Sequence, residues 1–417
     1  FELSSFAPDD ASLTVHRMAA HDRLAYQSRV VLRLGQMLLA AGAGSYRVKA
    51  SMRTCAEAVG IEKHHAQVTF TEVVATAYAN GTFRTELAEQ RLLGVNADRI
   101  DRITNYLATI EGTQVLVEDV DKALDEIERV KPLYGWLANA LASGLACAAF
   151  AFLNAGGWVE CSVVAIAAFI GQFLRRQMLK RHMNHFGVWM VCGGIAASAY
   201  ILCVYLAQKY MGIEPTHQAG FISALLFLVP GFPLVTGIMR HDFAGGIQRI
   251  VYVAMLVVSA GVAVWSISKV FNWSVTPEYV VSLPAYIHFP LRFFTSFVAA
   301  FGFAMLFNSP PKVCAAAALI GAVINTGRIA LAVELGMPVP AAVGLAALCA
   351  GLLAAAAAAK TRYSRVTLSV PAVVIMIPGV PLYRSLTYLN NGQTTDALEQ
   401  LFTVLFTIVA IGIGLAI

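Results

Sequence analysis

Two stretches decide the fold: LVPGFPLVTG at 228–237 and MIPGVPLYRS at 376–385. Pro230-Gly-Phe-Pro-Leu234 in the first matches Pro378-Gly-Val-Pro-Leu382 in the second. Each lies inside an apolar run of roughly 17–25 residues, enough to cross about 30 Å of hydrocarbon. Pro230 stands about eleven residues into its run and Pro378 about twelve, some 16–18 Å, near mid-bilayer. Proline removes an N–H and clashes with the preceding turn, and the adjacent glycine loosens the backbone further. Both runs are expected to break there, with Pro233 and Pro381 in the first turn of a new half-helix. Each half-helix would present free N–H groups and a positive dipole end at mid-membrane, a ready site for a carboxylate. One Pro-Gly alone reads more simply as a proline kink. Two at matched depth favour the site.

The rest of the chain fits a membrane setting. Of 417 residues, 58% are hydrophobic and 13% charged, and the mean hydropathy is +0.66. Soluble domains carry about 25% charged residues, so a purely soluble enzyme and a disordered chain are excluded. Residues 1–131 hold 18 of the 25 acids and 15 of the 30 bases, whereas residues 132–417 hold 7 and 15. The chain thus divides into a water-soluble head at 1–131 and a basic membrane body. Ten apolar runs are read after Pro132, at 134–153, 158–175, 187–208, 219–239, 247–268, 288–307, 313–332, 338–358, 366–386 and 397–417.

Positive residues orient such runs. The gaps after even-numbered runs hold ten bases, Arg175, Arg240, Arg249, Lys312 and Arg362 among them, against five at most in the odd gaps. Even gaps are therefore expected in the cytoplasm, together with the head and the C-terminus. The N-terminus lacks a basic region followed by an apolar run, so no cleavable signal is expected.

The body also repeats itself. Phe152-Leu-Asn154 matches Leu306-Phe-Asn308, and Val159-Glu-Cys161 matches Val313-Cys314. Gln172 then falls opposite Asn325, and Arg175 opposite Arg328. Matches in order at offsets of 148 to 154 indicate a duplication of five spans, 132–270 and 286–417. Five is odd, so the second copy enters the membrane from the other side, the inverted-repeat plan of secondary transporters. The expected fold class is membrane all-α, with about ten transmembrane helices as two inverted five-helix repeats and a small α+β cytoplasmic head.

In the head, helical spacing runs from Leu24 to Leu39 and stops at Ala41–Gly44. A second helix is expected from Ser45, as N-cap, to Gly60. Gln67 to Thr76 reads as a strand, and Thr82 to Leu92 as a second strand or a short helix, with Asn80-Gly81 as the turn. Asn96–Ile110 and Glu118–Val130 read as amphipathic helices. Gly42-x-Gly44-Ser45 reads as a helix joint rather than a phosphate-binding turn, because no Walker lysine follows. His64-His65 and the His16/His21 pair lack metal-ligand spacing, and the seven cysteines lack any C-x-x-C. No metal and no cofactor are expected.

Acid in the body is sparse, and Glu160, Asp242 and Glu334 lie near run ends. Arg328, one turn after Asn325, is the deepest base, and Arg384 follows the second Pro-Gly by five residues. Charged groups in lipid usually face a cavity or a partner, although either arginine could snorkel to the surface. His288 reads as interfacial.

The stretch Met376-Ile-Pro-Gly-Val-Pro-Leu-Tyr-Arg384, followed by Leu389-Asn-Asn-Gly392, resembles the threonine/serine exporter family. So do Leu38-Leu-Ala-Ala-Gly-Ala-Gly-Ser-Tyr-Arg-Val48 and Thr82-Phe-Arg-Thr85 in the head. The resemblance covers nearly the whole chain. It implies secondary export of threonine and serine across the cytoplasmic membrane, driven by membrane potential or proton gradient. Related two-chain systems are associated with succinate-like dicarboxylates, so a dicarboxylate exporter is the alternative. A sensor or enzyme acting through the head ranks below both, because span-embedded Asp, Glu and His clusters are missing. On this reading the protein is not an enzyme. Its partners are the lipid bilayer and a small carboxylate-bearing metabolite, without nucleic acid, and a homo-oligomer is left open. Pro230, Gly231, Pro233, Pro378, Gly379 and Pro381 would shape the site, with Gln172 and Asn325 as hydrogen-bonding side chains and Arg328 and Arg384 as positive charge.

Overall fold

The computed structural model describes residues 9–90, 94–212, 219–238, 243–273, 285–361 and 363–416. Arg240, Asp242 and Arg362 lie outside these residues, as do Leu92 and the last residue of the run expected at 219–239. The chain forms two compact units: Phe1–Gly94 with Arg99–Lys131, and Val95–Asp98 with Pro132–Ile417.

The head unit contains α1 (Asp9–Ala40), α2 (Ser45–Ala58), β1 (Lys63–Val68), β2 (Glu72–Ala79), β3 (Thr82–Glu89), α3 (Ala97–Ile110) and α4 (Val117–Arg129). The sheet is antiparallel in the order β1-β2-β3. Asn80 and Gly81 join β2 to β3 with φ of 50° and 69°, the left-handed pair that a two-residue hairpin turn requires. Thr82–Glu89 is therefore a strand and not the helix held as its alternative. Alternation along β2 buries Val73, Ala75, Ala77 and Ala79, and α1 packs on β2 and β3.

The strand expected at 67–76 is two strands, because Thr69 closes a tight turn there: its amide donates to Glu72 O (2.8 Å) and its Oγ1 accepts from Glu72 N (3.1 Å). Ser45 is not the N-cap. Gly44 holds that position at φ −65° and ψ 148°, and Ser45 is the buried first residue of α2. The preceding helix ends on Gly42 at φ 90°, with Ala43 N bonding Leu38 O and Gly42 N bonding Leu39 O, a Schellman closure. Arg33 ties α1 to α4 through Asp121 and Asp125, each at 2.7 Å, and Glu128.

The membrane unit is helical: α5 (Trp136–Leu153), α6 (Trp158–Lys180), α7 (His185–Met211), α8 (Ala219–Ser223), α9 (Gly231–Ile238), α10 (Phe243–Val270), α11 (Ala285–Leu306), α12 (Pro311–Val333), α13 (Val339–Lys360), α14 (Arg365–Val374), α15 (Gly379–Asn390) and α16 (Thr394–Ala416). Among the described residues, eight single helices are long and apolar enough to cross a membrane, and the count is nine if α14 and α15, bent by 52° at their break, are taken as one span. The protein is a multi-pass membrane protein. The span expected at 219–239 corresponds to α8, a single 3-10 turn at Leu226–Leu228, and α9.

Helix neighbours recur in the two halves. α5 packs on α6 as α11 does on α12, α7 on α10 as α13 on α16, and α9 on α10 as α15 on α16. In lipid no hydrophobic drive pulls helices together, so close backbone approach has to hold them. Between α5 and α11 that approach is made at Gly302, where an added Cβ would stand 2.6 Å from Ala142 O. The helix starts match too. Cys161 and Cys314, 153 residues apart, each turn Sγ to the carbonyl five residues back, Gly156 O and Ser309 O.

Candidate substrate site at two crossed helix breaks

Both Pro-Gly stretches break their helices, and they do so with the same hydrogen bonds. Leu228 N bonds Leu225 O (3.0 Å) and Met376 N bonds Val373 O (2.9 Å). Val229 N bonds Leu226 O (3.0 Å) and Ile377 N bonds Val374 O (3.2 Å). Gly231 N reaches back to Val229 O and Gly379 N to Ile377 O, both at 2.8 Å. Leu234 N then returns to Pro230 O (3.3 Å) and Leu382 N to Pro378 O (3.1 Å). This pattern limits what each half-helix can present. The glycine amide closes the tight turn, and Pro233 or Pro381 has no N–H. The fourth amide is used. Among the described residues, helix geometry leaves one first-turn amide free on each side, Phe232 and Val380.

The two breaks rest on each other. A Cβ on Gly231 would stand 2.8 Å from Ile377 Cδ1 and closer still to Val374 Cγ2. One on Gly379 would collide with Leu226 Cδ2 and lie 3.7 Å from Val229 Cγ2. Leu226, Val229 and Gly231 correspond to Val374, Ile377 and Gly379 at the spacing of 148, so the contact is reciprocal. Both glycines are buried, and the four prolines 230, 233, 378 and 381 are half-buried. Beside the crossing lies an apolar void lined by Leu234, Val235, Ile377, Ile408 and Ile411, too small for water.

Each half adds a polar group from its second long helix. On α6, Gln172 Nε2 donates to Asn139 Oδ1 (2.7 Å), and Arg175 donates to Gln172 Oε1 (3.2 Å) and to Phe227 O (2.9 Å). Trp189 Nε1 donates to Leu228 O (2.6 Å), and the Arg175 guanidinium lies 4.3 Å from the centre of the Trp189 ring. The carbonyls freed by the first break are thus occupied. On α12, Asn325 Nδ2 donates to Ser296 Oγ (2.8 Å), and Arg328 Nε donates to Asn325 Oδ1 (2.9 Å). Gly321, one turn earlier on the same helix, packs against Ala372 of α14.

The clasp is absent here. Trp189 is the fifth residue of α7, and the fifth residue of α13 is Val343. The terminal nitrogens of Arg328 have no partner among the described residues. Arg384 is half-buried on α15 and has no hydrogen bond or ion pair among the described residues.

Several residues escaped the sequence reading. Asn139 and Ser296 complete the polar groups, and Trp189 guards a released carbonyl. Tyr383 is 3% exposed, and its hydroxyl has no partner, one residue before Arg384. Arg249, counted among the gap residues, is buried inside α10 and donates to Thr236 Oγ1 at 3.0 Å. Glu160 is fully buried. A periodic pattern ranks positions by hydropathy, and it carries no signal for an orphaned hydroxyl or a charge drawn inside a helix end.

Two broken helices packed on each other within a bundle of long apolar helices follow a plan that membrane transporters of small molecules use. The chain belongs to the threonine/serine exporter family. The profile ThrE, described as "Putative threonine/serine exporter", matches residues 29–271, and ThrE_2, described as "Threonine/Serine exporter, ThrE", matches residues 292–417. The "Threonine/serine exporter" of Corynebacterium glutamicum is 21% identical over 99% of this chain and 85% of its own length. The "Probable threonine/serine exporter" of Mycobacterium tuberculosis is 24% identical over 93% of this chain and 75% of its own. The "Probable succinate transporter subunit YjjP" of Escherichia coli (strain K12) is 24% identical over 61% of this chain and 93% of its own. No solved structure matches.

Proposed function

We propose that the protein is a ten-span secondary exporter of threonine and serine in the cytoplasmic membrane, and not an enzyme. Its body is two five-helix repeats of opposite orientation, 132–270 and 286–417, behind a cytoplasmic head at 1–131. The carrying observation is the reciprocal contact of Gly231 with Val374 and Ile377, and of Gly379 with Leu226 and Val229. The substrate sits at that crossing. Its carboxylate takes the Phe232 and Val380 amides, with Arg328 supplying positive charge, and its ammonium takes backbone carbonyls of the second break, since those of the first are held by Arg175 and Trp189. Tyr383 donates its idle hydroxyl. Arg384 lies further along the path. The void at the crossing holds no water, so the site opens only when the half-helices move. Arg175 is already bound to Phe227 O, which makes it a clasp on the inner side rather than a ligand.

The test is uptake of labelled threonine and serine into inside-out vesicles. Pro230→Ala and Pro378→Ala each restore a helical donor, and each should lower transport about tenfold or more, the equivalent of about 1.4 kcal/mol. Normal rates in both, at equal protein, would place the site elsewhere. A dicarboxylate exporter is the second reading. Among the described residues, none of the polar groups hydrogen-bonded at or beside the breaks is an acid, a setting that suits a dianion. The name of the Escherichia coli relative points the same way. Succinate uptake exceeding threonine uptake in the same vesicles would select it.

A further inference from the structure

Glu160 is the third residue of α6 and is fully buried. Among the described residues of 132–417 it is the one buried acid, since Glu334, Asp396 and Glu399 are exposed. Its Oε2 accepts from Gly157 N at 2.6 Å, closing its own helix cap. Its Oε1 accepts from Gly220 N at 3.3 Å, in the first turn of α8. One carboxylate therefore ties the start of α6 to the first segment of the broken helix. No lysine or arginine pairs with it among the described residues.

The fold does not need an acid at this place. The matching residue on α12, 153 positions on, is Val313, equally buried, and that helix starts on Pro310 and Pro311. A buried carboxylate without a cationic partner is costly even when amides bond it. The half that shares its plan avoids the cost. Among the described residues, the ionisable groups that face Glu160 are the Tyr200 hydroxyl of α7 and the neighbouring Cys161 thiol. α8 carries no ionisable side chain, and α5 carries only Cys147. Phe221 and Trp273 pack around Tyr200, and the Trp273 indole N–H has no partner.

We infer that Glu160 is the proton site that couples the gradient to export, an inference resting on the transporter reading above. With the head in the cytoplasm, α6 and α8 both begin at the outer face. The carboxylate takes one proton from outer water, forming one O–H bond and losing its charge. A neutral acid holds the Gly220 amide less strongly than a carboxylate does, and α8 is released. After the half-helices have moved, the same proton leaves to the inner aqueous side, the carboxylate re-forms, and Gly220 is held again.

The experiment uses the full chain in proteoliposomes, with threonine, serine and succinate as probes. Two rates are measured: exchange at equal pH on both sides, and transport driven by a pH gradient. Glu160→Gln should keep exchange within about twofold of wild type, a difference of about 0.4 kcal/mol. It should lose gradient-driven transport and show a flat pH profile. Glu160→Asp, which keeps a carboxyl group, should restore part of the gradient-driven rate. Glu334→Gln, at an exposed acid beside Arg292, should change neither. Gradient-driven transport and an unchanged pH profile in Glu160→Gln would overturn the proposal. So would loss of exchange in both Glu160 variants: with lowered thermal stability it marks a purely structural cap, and with normal stability it places Glu160 in the transport path itself. Wild type that exchanges none of the three probes would refute the transport reading instead.

Discussion

At the scale of single residues, the two arginines separate a structural role from a functional one. Arg175 bonds Gln172 and Phe227 O and lies over Trp189. Arg175→Gln strands a buried carbonyl, so stability should fall by about 1.5–3 kcal/mol, the worth of a charged hydrogen bond. Arg328 makes one bond, to Asn325. Arg328→Gln should reduce transport with a much smaller loss of stability. Thermal unfolding of the detergent-solubilised variants, beside transport at matched expression, reads both. Equal thermal losses would end the distinction. Tyr383→Phe removes a hydroxyl that has no partner, so stability should hold or rise by up to about 1 kcal/mol, while transport falls. The sequence set Gln172 three residues before Arg175 and Asn325 three before Arg328, and in each case the arginine bonds that amide. Tyr383 was not legible there, since only the packed core tells an occupied hydroxyl from an idle one.

At the scale of elements, the breaks were the most legible feature, because proline and glycine act on their own backbone whatever surrounds them. What the sequence hid was the second duty of the glycines. Gly231 and Gly379 admit the other break's side chains, so a methyl there must displace Val374 or Leu226. Gly231→Ala should destabilise the protein by about 1–3 kcal/mol through overpacking, and Val374→Ala should rescue it in the double variant. No rescue, measured by thermal unfolding, would mean that the glycine is needed for its backbone alone. In the head, β1 was hidden because Lys63-His64-His65-Ala66 lacks the β-branched residues that mark a strand. Burial, and then the neighbouring His65, push His64 down from 6.5 to about 4. The folded head thus holds a neutral ring where the unfolded chain would be charged. Stability from this source is present above pH 6.5 and declines as pH falls towards 4. His64→Gln should flatten that part of the decline, read by proteolysis of the head at pH 7 and pH 5.

At the scale of the whole molecule, charge and hydropathy made the partition into head and body legible, because the bilayer rewards nothing else so strongly. The tight, dry crossing was not legible, since the sequence pattern predicts a site but not whether it stands open. Orientation is the prediction that belongs here. A C-terminal reporter active only outside the cytoplasm should be silent, and strong activity would require an odd number of spans. The reciprocal seat of the two glycines carries one more consequence. On the proposed cycle each broken helix has its twin for a bearing, so a tilt of one is passed to the other, like a beam with equal arms. On the proposed cycle, the outward and inward forms then begin level in energy. Only what the halves do not share can tip the beam: the Trp189–Arg175 clasp at one end and the Glu160 carboxylate at the other. A nearly level beam turns on small weights, so a modest gradient suffices to set its direction.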